Sequence, residues 1–98
     1  MVVISYGTLR TFIDQHADSG DALNNWYRFV LQADWSNFHD IKGMFNSVDA
    51  IGNDRFVFNI KGNNYRIIAL IFFDIRTVYI RFVGTHAAYS KLKDCTII

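Results

Sequence analysis

Seven side chains between positions 42 and 89 are the candidates for holding an anion or moving a proton: Lys42, Asn59, Lys61, Arg66, Arg81, His86 and Tyr89. Arginine is a planar, permanently charged fork suited to bidentate phosphate contact, and Arg66 is the first candidate for that task. Its bland alternative is a surface arginine flanking a turn. Histidine is the side chain that ordinarily titrates near neutrality, so His86 is a candidate for proton transfer or substrate contact. Capping or packing a helix is the other role open to it. Tyr89 lies three residues on and can share a helical face with His86. It could orient a substrate, stack a base, act in proton transfer, or simply pack in a core. Asn59 and Lys61 could hold a substrate, although Asn59 could equally satisfy a hairpin backbone. Arg81 and Lys42 are further candidates for phosphate contact. His16 and His39 fall among acidic helical residues and read as structural or solvated.

The elements that would position these groups divide at mid-chain. Leu9, Phe12, Ile13 and His16 fall at helical spacing after Ser5, a candidate N-cap. Asp18-Ser19-Gly20 interrupts, and Leu23, Trp26, Tyr27 and Val30 form the stripe of a second helix. Both aromatics of that stripe read as core. Trp35 to Lys42 reads as irregular or single-turn, anchored by Trp35 and Phe38. The period then changes. Phe56 to Ile60 alternates, Lys61-Gly62-Asn63-Asn64 supplies turn chemistry, and Tyr65 to Phe73 is a long β-rich run. Asp74-Ile75-Arg76 turns the chain into a strand from Thr77 to Val83. Gly84-Thr85-His86 then leaves the sheet, with Thr85 capping a last helical turn that carries Tyr89.

Side chains alternate across a strand, so hairpin loops of even length fix the faces. Arg66 then shares a face with Val57, Asn59, Lys61, Tyr79, Arg81, Val83 and Thr85. The opposite face holds Phe56, Phe58, Ile60, Ile67, Ala69, Ile71, Val78, Ile80 and Phe82. That set is uniformly apolar, so the helices should cover it. The expected fold class is α+β: N-terminal helices on one face of a small antiparallel-dominated sheet, the whole chain from 1 to 98 forming one domain.

Composition narrows the chemistry. The net charge is +1, but residues 1–41 set two arginines against five aspartates, and residues 42–98 set eight lysines and arginines against four aspartates. A basic half on a nearly neutral chain can give one face a phosphate-attracting potential. All nine acidic residues are aspartate, which excludes catalysis by glutamate. Three scattered histidines and one cysteine show no metal-ligand spacing, so no metal or other cofactor is expected. Gly62-Asn63-Asn64 is a turn, not a phosphate-binding loop, because no helix follows it. Ser90 near His86 has neither the elbow nor the orienting acid of a hydrolase. No apolar run approaches the roughly 20 residues of a membrane span, and Met1–Ile4 is too short for a signal-peptide core. The lone Cys95 suits a reducing compartment, so a cytoplasmic protein is expected.

Two blocks carry a resemblance. Val57-Phe58-Asn59-Ile60-Lys61-Gly62-Asn63-Asn64-Tyr65-Arg66-Ile67-Ile68 resembles the V-F-N-I-x-G-N-x-Y-R-L-I block of HigB-type toxins of the RelE superfamily. Val78-Tyr79-Ile80-Arg81-Phe82-Val83-Gly84-Thr85-His86-Ala87-Ala88-Tyr89 is similar to their closing block. Trp26-Tyr27, Ala33-Asp34-Trp35 and Asp40-Ile41-Lys42 also fit, so the likeness runs in one register from about Thr8 to Ile97. It implies a RelE-like fold and metal-independent, ribosome-dependent cleavage of messenger RNA. It also implies neutralisation by a helix-turn-helix antitoxin of the HigA type. Under that resemblance Arg66, His86 and Tyr89 are the catalytic candidates, with Asn59, Lys61, Arg81 and Lys42 holding RNA. The chain departs from the family in lacking a proline near Phe45-Asn46. It also has Ala88 and Ser90 where acidic residues are usual, which removes negative charge beside His86 and Tyr89. A non-catalytic RNA- or ribosome-binding module, or a protein-interaction domain, would share the polar sheet face.

Overall fold

A computed structural model describes residues 1–98. The elements run β1 (Val2–Ile4), α1 (Tyr6–Gln15), α2 (Gly20–Gln32), α3 (Phe38–Met44), β2 (Val48–Gly52), β3 (Arg55–Ile60), β4 (Tyr65–Phe72), β5 (Thr77–Thr85) and α4 (His86–Ser90). Short 3-10 turns lie at Ala17–Ser19 and Cys95–Ile97. The five strands form one sheet in the order β1-β5-β4-β3-β2. Three of its four pairings are antiparallel, and β1 lies parallel to β5 at the edge. The α+β expectation holds.

The apolar alternation of β3 to β5 does what the pleat requires. Phe56, Phe58, Ile60, Ile67, Ala69, Ile71, Val78 and Ile80 meet Leu9, Leu23, Trp26, Val30 and Ile41 in a single buried cluster. Both hairpin loops are even, since Ile60 pairs with Tyr65 and Phe72 with Thr77. Phe58 is the hub: Trp26, Trp35 and Phe45 rings surround it at centroid distances of 5.3, 6.4 and 5.4 Å.

Several local readings are corrected. Residues 38–44 form a two-turn helix, not an irregular stretch, because Asn37 caps it by accepting from the Asp40 N–H at 3.0 Å. Ser5 sits before α1 with φ 78°, and its side chain makes no cap; its carbonyl accepts from Thr8 N–H instead. β1 and β2 are edge strands that the alternation did not mark. β5 continues through Gly84 and Thr85 before Thr85 Oγ1 caps α4 by accepting from Ala88 N–H at 3.1 Å.

The largest correction concerns β5. A bulge sets Arg81 between the Ile80–Ala69 and Phe82–Ile68 pairs. Phe82 therefore lies on the Arg66 face, while Val83 and Thr85 turn to the helical side, the reverse of the regular alternation. Lys61 is also misplaced by that alternation. Its φ of 53° ends β3 and swings its ammonium to Asp18, at 3.2 Å from Oδ2, beside the helices.

Asp18 receives a second contact there, the Tyr65 hydroxyl donating to Oδ1 at 2.6 Å. That bond, then Lys61, holds the Asp18 carboxyl below its ordinary range, and the same bond pushes the Tyr65 phenol up. A depressed carboxyl stabilises the fold above its unfolded pKa near 3.9 and loses that contribution as pH falls through the lower folded value. A raised phenol stabilises below about 10 and loses the contribution as pH rises through its folded value. Tyr65→Phe is therefore expected to melt earlier than wild type at pH 7, with the gap narrowing in acid toward pH 2. Equal gaps at both pH values in thermal melts would contradict the pairing.

Candidate nucleic-acid interface

The sheet face away from the helices carries Asn59, Arg66 and Tyr79 by register, together with the apolar Val57, Ile68 and Leu70. It is less open than a polar sheet face would be. The chain beyond α4 crosses it, and Val57 and Ile68 beneath are 4% and 0% exposed.

Arg66 pairs across the sheet with Asn59 on one side and Gly84 on the other. The missing side chain of Gly84 makes room. A Cβ there would stand 2.5 Å from the Phe82 ring, which folds over the glycine beside Arg66. The guanidinium of Arg66 lies over the Tyr89 ring, 5.4 Å from its centroid. Arg66 is half-buried, its Nη1 is enclosed without a hydrogen-bond partner, and no carboxylate pairs with it. A fixed positive charge with an unused donor has the chemistry to hold an anion.

Tyr89 is positioned by α4, whose start is set by the Thr85 cap. Burial pushes its phenol up, the adjacent Cys95 thiol adds to this, and Asp49 on β2 acts in the same direction against the lowering effect of Arg66. The phenol therefore stays protonated through neutral pH and can donate a hydrogen bond. His86 opens α4 with its side chain exposed, two residues beyond Gly84, and its N–H donates to Asn64 O at 3.1 Å. Ser90, where an aspartate was expected from the resemblance, spends its hydroxyl on the His86 carbonyl at 2.9 Å.

Arg66 and Tyr89 are thus in contact and Asn59 pairs with Arg66 across the sheet, while His86 opens α4 with its side chain exposed. Asn59 donates its side-chain amide to Ser47 Oγ, so it also ties β3 to the loop before β2. Lys42 anchors that same loop, its Nζ 3.2 Å from Asn46 O. Lys61 stands apart beside Asp18. Arg81 reaches the face from its bulge but contacts the C-terminal tail, with its Nε 3.2 Å from Ile98 O. Arg55, Asp49 and Cys95 were missed. Arg55 had a legible signal, since it shares the parity of Val57 and Asn59; Asp49 and Cys95 lie on an edge strand and a tail without pattern.

Comparison with known proteins bears on this geometry. Residues 19–92 match the family described as HigB toxin, RelE-like toxic component of a toxin-antitoxin system. The mRNA interferase HigB of Escherichia coli O6:H1 is 28% identical over 94 residues, covering 94% of this chain and 91% of that protein. The mRNA interferase toxin HigB of Escherichia coli K12 is 39% identical over 52 residues, 51% of this chain and 50% of its own length. A Shigella flexneri mRNA interferase HigB matches over the same shares. The matched span contains Arg66, His86 and Tyr89, and with it the whole β3–β5 meander that assembles them. The chain belongs to the HigB toxin family, the RelE-like toxic components of toxin–antitoxin systems.

Proposed function

We propose that this chain is an endoribonuclease that cuts messenger RNA during translation in the cytoplasm, with side chains and no metal supplying the chemistry. The observation that carries the reading is Arg66: half-buried, without a carboxylate partner, and stacked on a phenol that stays protonated. The names of the relatives, mRNA interferases, agree with it.

Attack by a 2′-hydroxyl on the adjacent phosphate needs a proton acceptor, charge stabilisation at the phosphorane, and a donor to the leaving 5′-oxygen. Arg66 supplies the charge. Tyr89, a poor base in this setting, serves as donor or base-stacking surface. His86, exposed at the start of α4, remains to take the nucleophile's proton. Asn59 and Lys42 flank the approach along the Ser47 loop. Arg81 contacts backbone phosphate further along the face. An antitoxin of the helix-turn-helix HigA type is the expected inhibitor, drawn to the basic half by charge complementarity.

One exposed imidazole is a weak activator of a hydroxyl by itself, so the ribosome contributes by holding the message bent for in-line attack. Purified protein added to translating ribosome–mRNA complexes is expected to generate new 5′ ends, and to do so in a chelator selective for transition metals, which spares ribosomal magnesium. Cutting of free RNA at the same sites with equal efficiency would defeat the ribosome requirement. Loss of cutting that zinc or manganese restores would defeat the metal-free chemistry.

A further inference from the structure

Of the nine phenylalanines, Phe82 alone packs against no other aromatic ring. It also stands outside the buried cluster, against which its neighbour Val83 packs instead. The β5 bulge is the cause. Ile80 pairs with Ala69 and Phe82 with Ile68, so two residues that regular alternation would place on one face lie on opposite ones. The ring then lies along the strand toward Gly84: a Cβ at Gly84 would stand 2.5, 3.0 and 3.3 Å from Phe82 Cζ, Cε2 and Cε1. Gly84 is buried and is the β5 partner of Arg66, so the far end of the ring reaches the row of the guanidinium while the side chain stays half-buried. Shielding a strand glycine is a stabilising use of an aromatic. It does not require a bulge that brings a large apolar ring out of the core, at a cost in burial, beside an arginine without a carboxylate partner.

We propose that Phe82 is a stacking platform for a base of the bound message, next to the phosphate that Arg66 holds. The proposal rests on the RNA-cleaving reading above and adds to it a contact with the base. Every base presents a π-face, and a half-exposed aromatic ring without a ring partner is its complement. Tyr89 is less free for that task, since its ring already carries the Arg66 guanidinium, whereas neither a ring nor a guanidinium meets Phe82. Adjacent strands lie about 5 Å apart, so a nucleotide whose phosphate meets Arg66 on β4 can lay its base on the β5 ring without leaving the face. Gly84 is the positioning residue: having no side chain, it lets the ring lie down beside Arg66, and an alanine there would lift it. Stacking strengthens with the size of the base, so a purine is favoured at this nucleotide.

The test is single-turnover cleavage of message in translating ribosome complexes at subsaturating protein. It uses intact message and messages with one abasic nucleotide on either side of the cut. Phe82→Leu keeps apolar bulk but loses the π-face, Phe82→Tyr keeps the ring, and Gly84→Ala lifts it. On intact message Phe82→Leu should cut about 5- to 150-fold more slowly, the range for one base–aromatic stack, and Phe82→Tyr should match wild type. Removing the stacked base should slow wild type by a similar factor and leave Phe82→Leu unchanged, because both changes delete the same contact. Wild type should also favour a purine at that nucleotide, a preference the leucine variant loses. Thermal melts should place Phe82→Leu within a few degrees of wild type. Should it unfold, Gly84→Ala takes its place in the same comparison. Equal abasic losses in wild type and variant, or a leucine variant that cuts as fast as wild type, overturn the platform while leaving the cleavage reading standing. Wild type that leaves intact message uncut sinks both.

Discussion

Arg66→Ala is expected to lower cleavage of ribosome-bound message by about 10²- to 10³-fold, the range for removing one preorganised donor from a developing anion. Growth arrest on expression should disappear with it. The fold should survive. The substitution loses a stacking contact with Tyr89 worth about 0.5–1 kcal/mol, and it removes an enclosed Nη1 that has no partner. Those effects oppose one another, so the melting temperature should move by only a few degrees. Arg66→Lys keeps the charge but not the fork, and should recover little of the activity. If the alanine variant arrests growth as well as wild type at equal expression, Arg66 is not the phosphate contact.

Phe58→Ala should act by the opposite route, abolishing activity through the fold. Phe58 is 1% exposed and is the ring against which Trp26, Trp35 and Phe45 all pack. Truncating a buried phenylalanine costs about 3–5 kcal/mol, most of it from the cavity that rigid neighbours cannot refill. Natural domains have about 5–15 kcal/mol in total, so the variant should be largely unfolded near physiological temperature. Urea unfolding should show a lower midpoint with an unchanged slope. Cooling should restore both structure and cleavage, a recovery that Arg66→Ala will not show. A loss of unfolding free energy under about 1 kcal/mol would mean the aromatic cluster repacks, and that Phe58 is not its hub.

The parts legible in sequence are those with strong periodicity and one buried face. β3, β4 and the start of β5 announce themselves because every second residue from Phe56 to Ile60 and from Ile67 to Ile71 meets the helices. α1 and α2 follow from stripes that lead to Leu9, Leu23, Trp26 and Val30. Edge strands carry no such signal: in β2 only Val48 is buried, and β1 has three residues. Lys61 was assigned by parity to a face it cannot reach, because a left-handed φ is a property of the turn and not of the alternation. Of the candidate site, Arg66 and Asn59 were placed together by counting alone, since no irregularity lies between Asn59 and Arg66. The stacking of Arg66 on Tyr89 was beyond counting, as it depends on the direction in which α4 leaves the sheet. Arg55 shares the same parity, but it opens the strand beside a turn, where the apolar alternation has not yet begun.

The bulge in β5 has a hereditary consequence. Ladder pairing on either side of Arg81 joins Ile80 to Ala69 and Phe82 to Ile68, neighbours on β4 with no gap between them. The strand therefore holds one residue more than its partner requires, and Arg81 is that surplus. Loss of its single codon would leave the Gly84–Arg66 pair, the Thr85 cap and the setting of Tyr89 where they are. Loss or gain of a residue between Phe82 and Thr85 would turn the end of the strand over, unless the bulge closed to absorb it. A lineage can thus acquire or discard the arginine of the outlying contact without touching the corner, and the two halves of the face are free to evolve at different rates.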